Sequence, residues 1–427
     1  MDLSKGVLIG ESELKKIRES FYHVERDKNG NERLFFDNAG GSFRLKKAEE
    51  SFFETDTTPD CSEREHQMAI YLQGIEEKGK DDVRIIFNAK GGSIATYQTA
   101  SQVMFQMVGA VAENAKGSNM VTSVLEHPSA FDAMTDYAKK TNKELRVAPS
   151  NPITGGVDAT EVIKLVDKDT CLLTIMYASN ISGAIFDIET IAKEVKKINP
   201  DIYIIVDAVQ HAPHGVMDLS CLEIDAISFA PYKFFGVRGV GVAYLSDRMA
   251  VLPHHKLIGK APEEWELGSP TPAQYAAITE IVNYVCSLGT GEDCGKSRRE
   301  LFVEGMTKIA LHERALLDLL LEGTDKNIGL RHMDKVKVLM DYADLTTKDL
   351  IIGISLDNID CARAVKEYEK RGVIVYARLA SSLYSVRMLK SFSLQGVIRI
   401  SPLHCNNEAD IDKFLEITRE ISTIEEK

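Results

Sequence analysis

The chain lacks the features that mark several large classes of protein. No apolar run approaches the ~20 residues that span a bilayer. The opening residues, MDLSKGVLIGESELKKIRESF, hold no apolar stretch of signal-peptide type. No two of the seven cysteines (Cys61, Cys171, Cys221, Cys286, Cys294, Cys361 and Cys405) form a Cys-x-x-Cys pair, so a zinc site or a thioredoxin-like centre has no support. Their odd number and wide scatter suit free thiols in a reducing compartment. Positive charge is in deficit: 51 Lys and Arg stand against 64 Asp and Glu, a net charge of -13. That balance argues against general affinity for nucleic acid or acidic membrane, but not against local sites for small anions. No internal repeat and no low-complexity tract is visible. The expectation is a cytoplasmic globular protein with no metal, nucleic-acid or membrane partner.

What is present is an alternation of strands and helices along 427 residues, more than one core usually holds. "TCLLTIMYA" (170–178), "IYIIVDA" (202–208), "AISFA" (226–230) and "GVGVAYL" (239–245) read as buried strands, and "NMVTSV" (119–124) as another. "SAFDAMTDYAKKT" (129–141) and "DIETIAKEVKKIN" (187–199) read as helices. "GSIATYQTASQVMFQMVGAVAE" (92–113) reads as one long helix entered through glycines. This rhythm predicts an α/β domain with a mostly parallel sheet over residues 30–289. The glycine- and charge-rich "LGTGEDCGKSRRE" (288–300) marks a boundary. A smaller α+β domain (290–427) follows, with strand candidates "IIGISL" and "GVIRIS", and a helical segment (1–29) packs with it.

Four stretches carry candidate chemistry. Asp207 ends a buried strand, where carboxylates serve ligands or cap the next turn, and Gln210 follows three residues on. Lys233 sits among Tyr232, Phe234 and Phe235 ahead of a glycine run. Apolar company lowers an amine's pKa, and a neutral lysine amine forms Schiff bases with carbonyls. Gly91, Gly92 and Ser93 lead directly into the long helix, whose free N–H groups suit a phosphate, but they lack the Gly-Lys-Ser/Thr of a P-loop. His127 opens a loop after a strand, where it either stacks on a flat ring or caps a helix. Together these suggest an aldehyde on a phosphorylated nitrogen heterocycle, pyridoxal 5'-phosphate.

In this order the residues resemble the class-V aminotransferase family of fold-type I pyridoxal-phosphate enzymes, the group that includes cysteine desulfurases and selenocysteine lyases. The resemblance runs from about Phe35 to about Leu415, through "FFDNAGGS", "YASNISGAIFDI", "WELGSPTPAQYAAI" and "GVIRISPLHCNNEADIDKFL". It implies a large domain with a seven-stranded, mostly parallel sheet and a smaller C-terminal domain. It further implies catalytic roles for Lys233, Asp207 and His127. Gly91, Gly92, Ser93, His127, Asn180, Asp207, Gln210, Tyr232, Lys233 and Ser269 would hold the cofactor. Asn38, Arg378 and Arg399 would bind the substrate, with Arg399 as carboxylate clamp. A homodimer follows from the same resemblance, with Ser269 reaching the partner subunit's phosphate.

Two departures matter. The desulfurase pattern Ser-Gly-His-Lys is here Ala230-Pro231-Tyr232-Lys233, and the loop that carries the desulfurase nucleophile reads "ARLASSLYSVRMLKSF" (377–392), with no cysteine. A thiolate is the sulfur acceptor in that chemistry. The expected activity is therefore that of an aminotransferase or a C–S/β-elimination lyase acting on an α-amino acid. The alternatives are a desulfurase or selenocysteine lyase-like enzyme using a displaced cysteine, and a non-catalytic scaffold.

Overall fold

The computed structural model describes residues 3–289 and 295–424; Cys294 and the expected boundary at residue 290 lie outside the described residues. Seven strands form the larger sheet: β1 (Ser93–Tyr97), β2 (Asn119–Ser123), β3 (Glu144–Ala148), β4 (Thr170–Met176), β5 (Tyr203–Asp207), β6 (Ala226–Phe229) and β7 (Gly241–Leu245). Their order is β1-β7-β6-β5-β4-β2-β3. Neighbours pair in parallel from β6 through β3, while β7 runs antiparallel to both β6 and β1. β4 is buried at every position, as a continuous apolar run between helical layers requires. The carboxyl ends of β1, β2, β4, β5 and β6 and the start of β7 consequently meet along one edge, the edge at which open α/β sheets bind ligands.

One expected element is corrected. Residues 92–113 are not a single helix: β1 is followed by helix α1 (Ala100–Asn114). Gly91 and Gly92 both sit at φ +64, which no helix continues. Ser-Ile-Ala-Thr-Tyr is a β-branched and aromatic run that pairs in register with β7, Ala95 opposite Ala243. The true helix start is Thr99, whose side chain accepts the Gln102 N–H.

A second, antiparallel sheet has the order β10-β11-β9-β8, from β8 (Val336–Leu339), β9 (Ile352–Leu356), β10 (Tyr376–Leu379) and β11 (Gly396–Ile400). Helices at Arg298–Glu322, Cys361–Lys370 and Glu408–Ser422 cover it, burying Leu316, Tyr368 and Phe414 with Ile354 and Ile398. The N-terminal helix, Glu11–Glu19, is tied to the C-terminal region by Arg18, which donates to the Cys405 carbonyl and to Asp410, each at 2.8 Å. Phe21 just beyond it packs edge-on against Phe235 and Tyr284. Among the described residues no helix is long and apolar enough to cross a membrane.

Candidate active site

The strand ends build the site. Register sets Met176 on β4, Asp207 on β5 and Ser228 on β6 side by side at the carboxyl edge. Asp207 is buried, and one of its oxygens accepts the Val209 N–H at 3.0 Å. Burial pushes its carboxyl up, against the opposing pull of that N–H and of the Lys233 charge.

Lys233 closes a single 3-10 turn, Pro231–Lys233, directly after β6. Its backbone N–H bonds the Ala230 carbonyl at 2.9 Å, which fixes the turn. Its amine makes no hydrogen bond among the described residues and is pushed down to about 8. Burial is the main cause, and the Arg399 and Arg378 charges add to it, while Asp207 and Asp37 oppose it.

His127 caps helix α2 (Pro128–Lys140). Its Nδ1 accepts the Ser129 N–H at 3.2 Å, so in the neutral ring the proton sits on Nε2. The ring is neutral throughout the physiological range, because burial and the Lys233 charge hold its pKa down at about 3. The ring of Tyr384 lies roughly parallel to it, centroids 6.5 Å apart at 29°.

A cavity of about 320 Å³ opens at this edge, and His127, Asn180, Asp207, Gln210, Tyr232 and Lys233 line it. Sequence reasoning named these six. Asn180 Oδ1 and Gln210 Oε1 are buried there without a hydrogen-bond partner among the described residues. Thr99, Ala100 and Ser101 at the start of α1 also line it, as does Arg238. The first intrahelical bond runs from the Val103 N–H to the Thr99 carbonyl, so the Ala100 and Ser101 amides lie ahead of it and are free to meet an anion. The signal for this wall was in the sequence as Thr99-x-x-Gln102, the pattern of a helix cap.

The other expected site residues lie elsewhere. Gly91, Gly92 and Ser93 are outside the cavity: they lead into β1, and Gly92 N–H bonds Asp247 at 2.8 Å. The phosphate glycines of the sequence reading are therefore a turn before a strand, at the edge of the sheet away from the carboxyl ends. Asn38 is spent on structure, donating to the Phe35 and Ser401 carbonyls and accepting the Phe43 N–H. Ser269 lines an adjoining cavity of about 440 Å³ that shares Gln98 and Gly239 with the first. Arg399 is buried behind the wall, where its Nη1 donates to the Asn180 carbonyl at 3.2 Å and its Nη2 to Asp37 at 2.6 Å. Arg378 is likewise buried, with Nη2 donating to the Tyr384 carbonyl at 3.0 Å.

Two residues earn roles that sequence reasoning did not give them. Glu126, next to His127, is fully buried and accepts from Ser123 Oγ at 2.6 Å and the Met176 N–H at 3.0 Å, while its second oxygen has no partner among the described residues. Burial, helped by the nearby Asp207, raises its pKa to about 8, against the pull of these two donors. Arg387, on helix α3 (Val386–Ser391), is part-buried and held by the chain just before His127. It donates to the Val124 and Glu126 carbonyls, and its guanidinium lies 3.7 Å from the Phe131 ring centroid. It thus pins the 380–392 segment to the turn that carries His127.

Residues 35–414 match the family described as aminotransferase class-V. A probable cysteine desulfurase of Borreliella burgdorferi is 23% identical over 430 residues, covering 94% of this chain and 94% of that protein. A probable cysteine desulfurase of Mycoplasma genitalium is 27% identical over 242 residues, 54% of this chain and only 56% of that protein. Among solved structures, the apo cysteine desulfurase of Thermococcus onnurineus superposes with a TM-score of 0.79 at 19% identity, over 96% of this chain and 98% of that one. A NifS-like protein gives 0.76 at 24% identity, over 91% and 99%. At these identities the structures establish a shared fold.

Proposed function

This chain belongs to the class-V aminotransferase family and is an enzyme of the transferase or lyase kind, and on that premise we propose that it binds pyridoxal 5'-phosphate at Lys233 and acts on an α-amino acid. The observation that carries this reading is an unbonded amine of lowered pKa sharing one cavity with a buried carboxylate and a free helix N-terminus.

The residues fit the cofactor. The carbonyl-reactive amine is Lys233, and Asp207 would face the ring nitrogen. The neutral His127 ring would lie on the heterocycle's face. The orphaned Asn180 and Gln210 oxygens are buried acceptors on the cavity wall. The Ala100 and Ser101 amides, with the helix dipole behind them, suit the phosphate. When bound, the cofactor supplies an electron sink for the bonds at the substrate's Cα.

The protein's own groups do the rest. Lys233 Nζ is neutral in about a tenth of molecules at pH 7, ~300-fold more than an amine of ordinary pKa. It is therefore a base competent to take the proton from the substrate's Cα and return it. Arg399 and Arg378 hold the substrate carboxylate and so fix which Cα bond stands upright. In the homodimer that we infer, Ser269 reaches the phosphate of the partner subunit's cofactor.

The desulfurase reading lacks a thiol at the right place. No described cysteine lines the cavity, and burial raises the Cys405 thiol far above its ordinary pKa. Amino-group transfer or β-elimination is favoured for that reason.

The test is to mix the protein with pyridoxal phosphate, reduce with borohydride and map the adduct by mass spectrometry. The adduct is expected on Lys233, absent in Lys233→Ala, with a labelling rate that rises with pH and levels above about 8. An unmodified Lys233 would refute the assignment. Spectra taken with a panel of amino acids then separate transamination, which converts the cofactor to its amine, from elimination, which leaves it unchanged.

A further inference from the structure

Arg378 and Arg399 lie on one face of a strand pair. In the β10–β11 ladder Arg378 stands opposite Val397 and Tyr376 opposite Arg399, so all four side chains share a face. Both arginines are buried, and the Nε of each lacks a partner among the described residues.

Their counter-ions differ. Arg399 is paired with Asp37 at 2.6 Å. Arg378 has a backbone carbonyl and the Met388 sulfur, and no carboxylate within salt-bridge distance among the described residues. Burial and the Arg399 charge beside it push the Arg378 guanidinium down to about 10, as expected of two cations that share one anion. Neither lines the cavity itself, but both stand close behind it: Arg399 donates to the carbonyl of the lining residue Asn180, and the charges of Arg399, Arg378 and Asp37 all act on Lys233. Two cations and one internal carboxylate leave a single positive charge for a ligand to neutralise. One carboxylate balances it. A second would enter a buried site with no cation left and with Asp37 beside it, a desolvation cost that nothing repays.

We propose that Asp37 is the specificity-determining residue of this site: by neutralising Arg399 it limits the clamp to one carboxylate, so the substrate is an α-amino acid with an uncharged side chain, held by Arg378 and the free Nε edge of Arg399. This rests on the reading of the cavity as an amino-acid site. Asp37 acts through Arg399 and is a positioning residue.

The experiment compares butyrate with succinate as ligands of the cofactor-loaded protein and of the cofactor-free chain, at fixed ionic strength. Wild type is expected to prefer butyrate. Asp37→Asn is expected to shift the ratio toward succinate by about tenfold or more, and Asp37→Glu to restore the preference. With amino acids, the same variant is expected to lower KM for aspartate relative to asparagine. Should Asp37→Asn fail to fold, Arg378→Gln serves in its place and is expected to weaken butyrate binding by a similar factor. An unchanged ratio in Asp37→Asn, a wild-type preference for succinate, or full butyrate binding by Arg378→Gln would each overturn the proposal. Loss of the Lys233 adduct with the carboxylate ratios intact would instead refute the cofactor assignment.

Discussion

Glu126→Gln isolates one buried titrating group by changing a carboxyl into an amide of the same shape. The Gln oxygen can still accept from Ser123 Oγ and the Met176 N–H, and its NH2 takes the place of the unpartnered oxygen. The wild-type carboxyl titrates at about 8 in the fold against 4.5 in open chain. The folded protein therefore keeps a proton that the unfolded chain gives up between those values, and stability must fall as pH rises through that window. The slope is about 1.4 kcal/mol per pH unit, and the difference of about 3.5 amounts to ~5 kcal/mol in all. Below pH 4.5 both states hold the proton and above pH 8 neither does, so the curve is flat at each end. Gln does not titrate, so subtracting its stability from that of wild type removes every other titrating group that the two share. Urea unfolding at pH 5, 6, 7 and 8 is expected to show the variant gaining on wild type by about 1.2–1.3 kcal/mol at each of the first two steps and by about 1 kcal/mol at the last, where the curve begins to flatten. Parallel curves for the two proteins would refute the buried, protonated state of Glu126 and the reasoning built on it.

Two further outcomes follow from the packing. A Cβ at position 241 would lie 2.2 Å from the Ala100 nitrogen and 2.4 Å from the Thr99 carbonyl carbon, so Gly241→Ala must push the start of α1 off β7. It is expected to cost about 1–3 kcal/mol and to weaken binding of pyridoxal phosphate. Gly74→Ala, where the helix Gln67–Phe87 has open space, is the control and is expected to be neutral or slightly stabilising. Unchanged cofactor affinity in Gly241→Ala would show that α1 does not form the phosphate wall. Arg387→Met removes two charge-assisted bonds and the contact over Phe131, about 2 kcal/mol of local tethering. Limited proteolysis between the exposed Leu383 and Tyr384 is expected to quicken; an unaltered cleavage rate would mean that this arginine does not hold the segment.

How much was legible depends on whether the signal is local. The strands at 170–176, 203–207, 226–229 and 241–245 announced themselves as apolar runs, because a central strand, parallel or antiparallel, that is covered on both faces has no polar side to show. Asp207 and Lys233 were legible as polar groups placed where the chain otherwise invests in burial. The helix at 92–113 was misread because residues 93–97 are short, and short apolar runs carry little periodicity. With it, Gly91, Gly92 and Ser93 were expected at a helix start, whereas they lead into β1 and lie outside the cavity. Asn38 was assigned from a motif, yet its amide is consumed by Phe35, Phe43 and Ser401, and no sequence pattern reports which hydrogen bonds a side chain has already made.

From its own residues the sequence determined the α/β class and marked Lys233, Asp207 and His127 as candidates, since each is set by local patterning of apolar and polar groups. Tertiary structure alone decided the rest. Strand order brings Thr99 within one cavity of Lys233, and a pairing of residues 362 positions apart sets Asp37 against Arg399. That pairing leaves Arg378 with its charge unspent. Charge balance in a buried site is a property of distances between remote segments, and such distances exist only once the chain has folded.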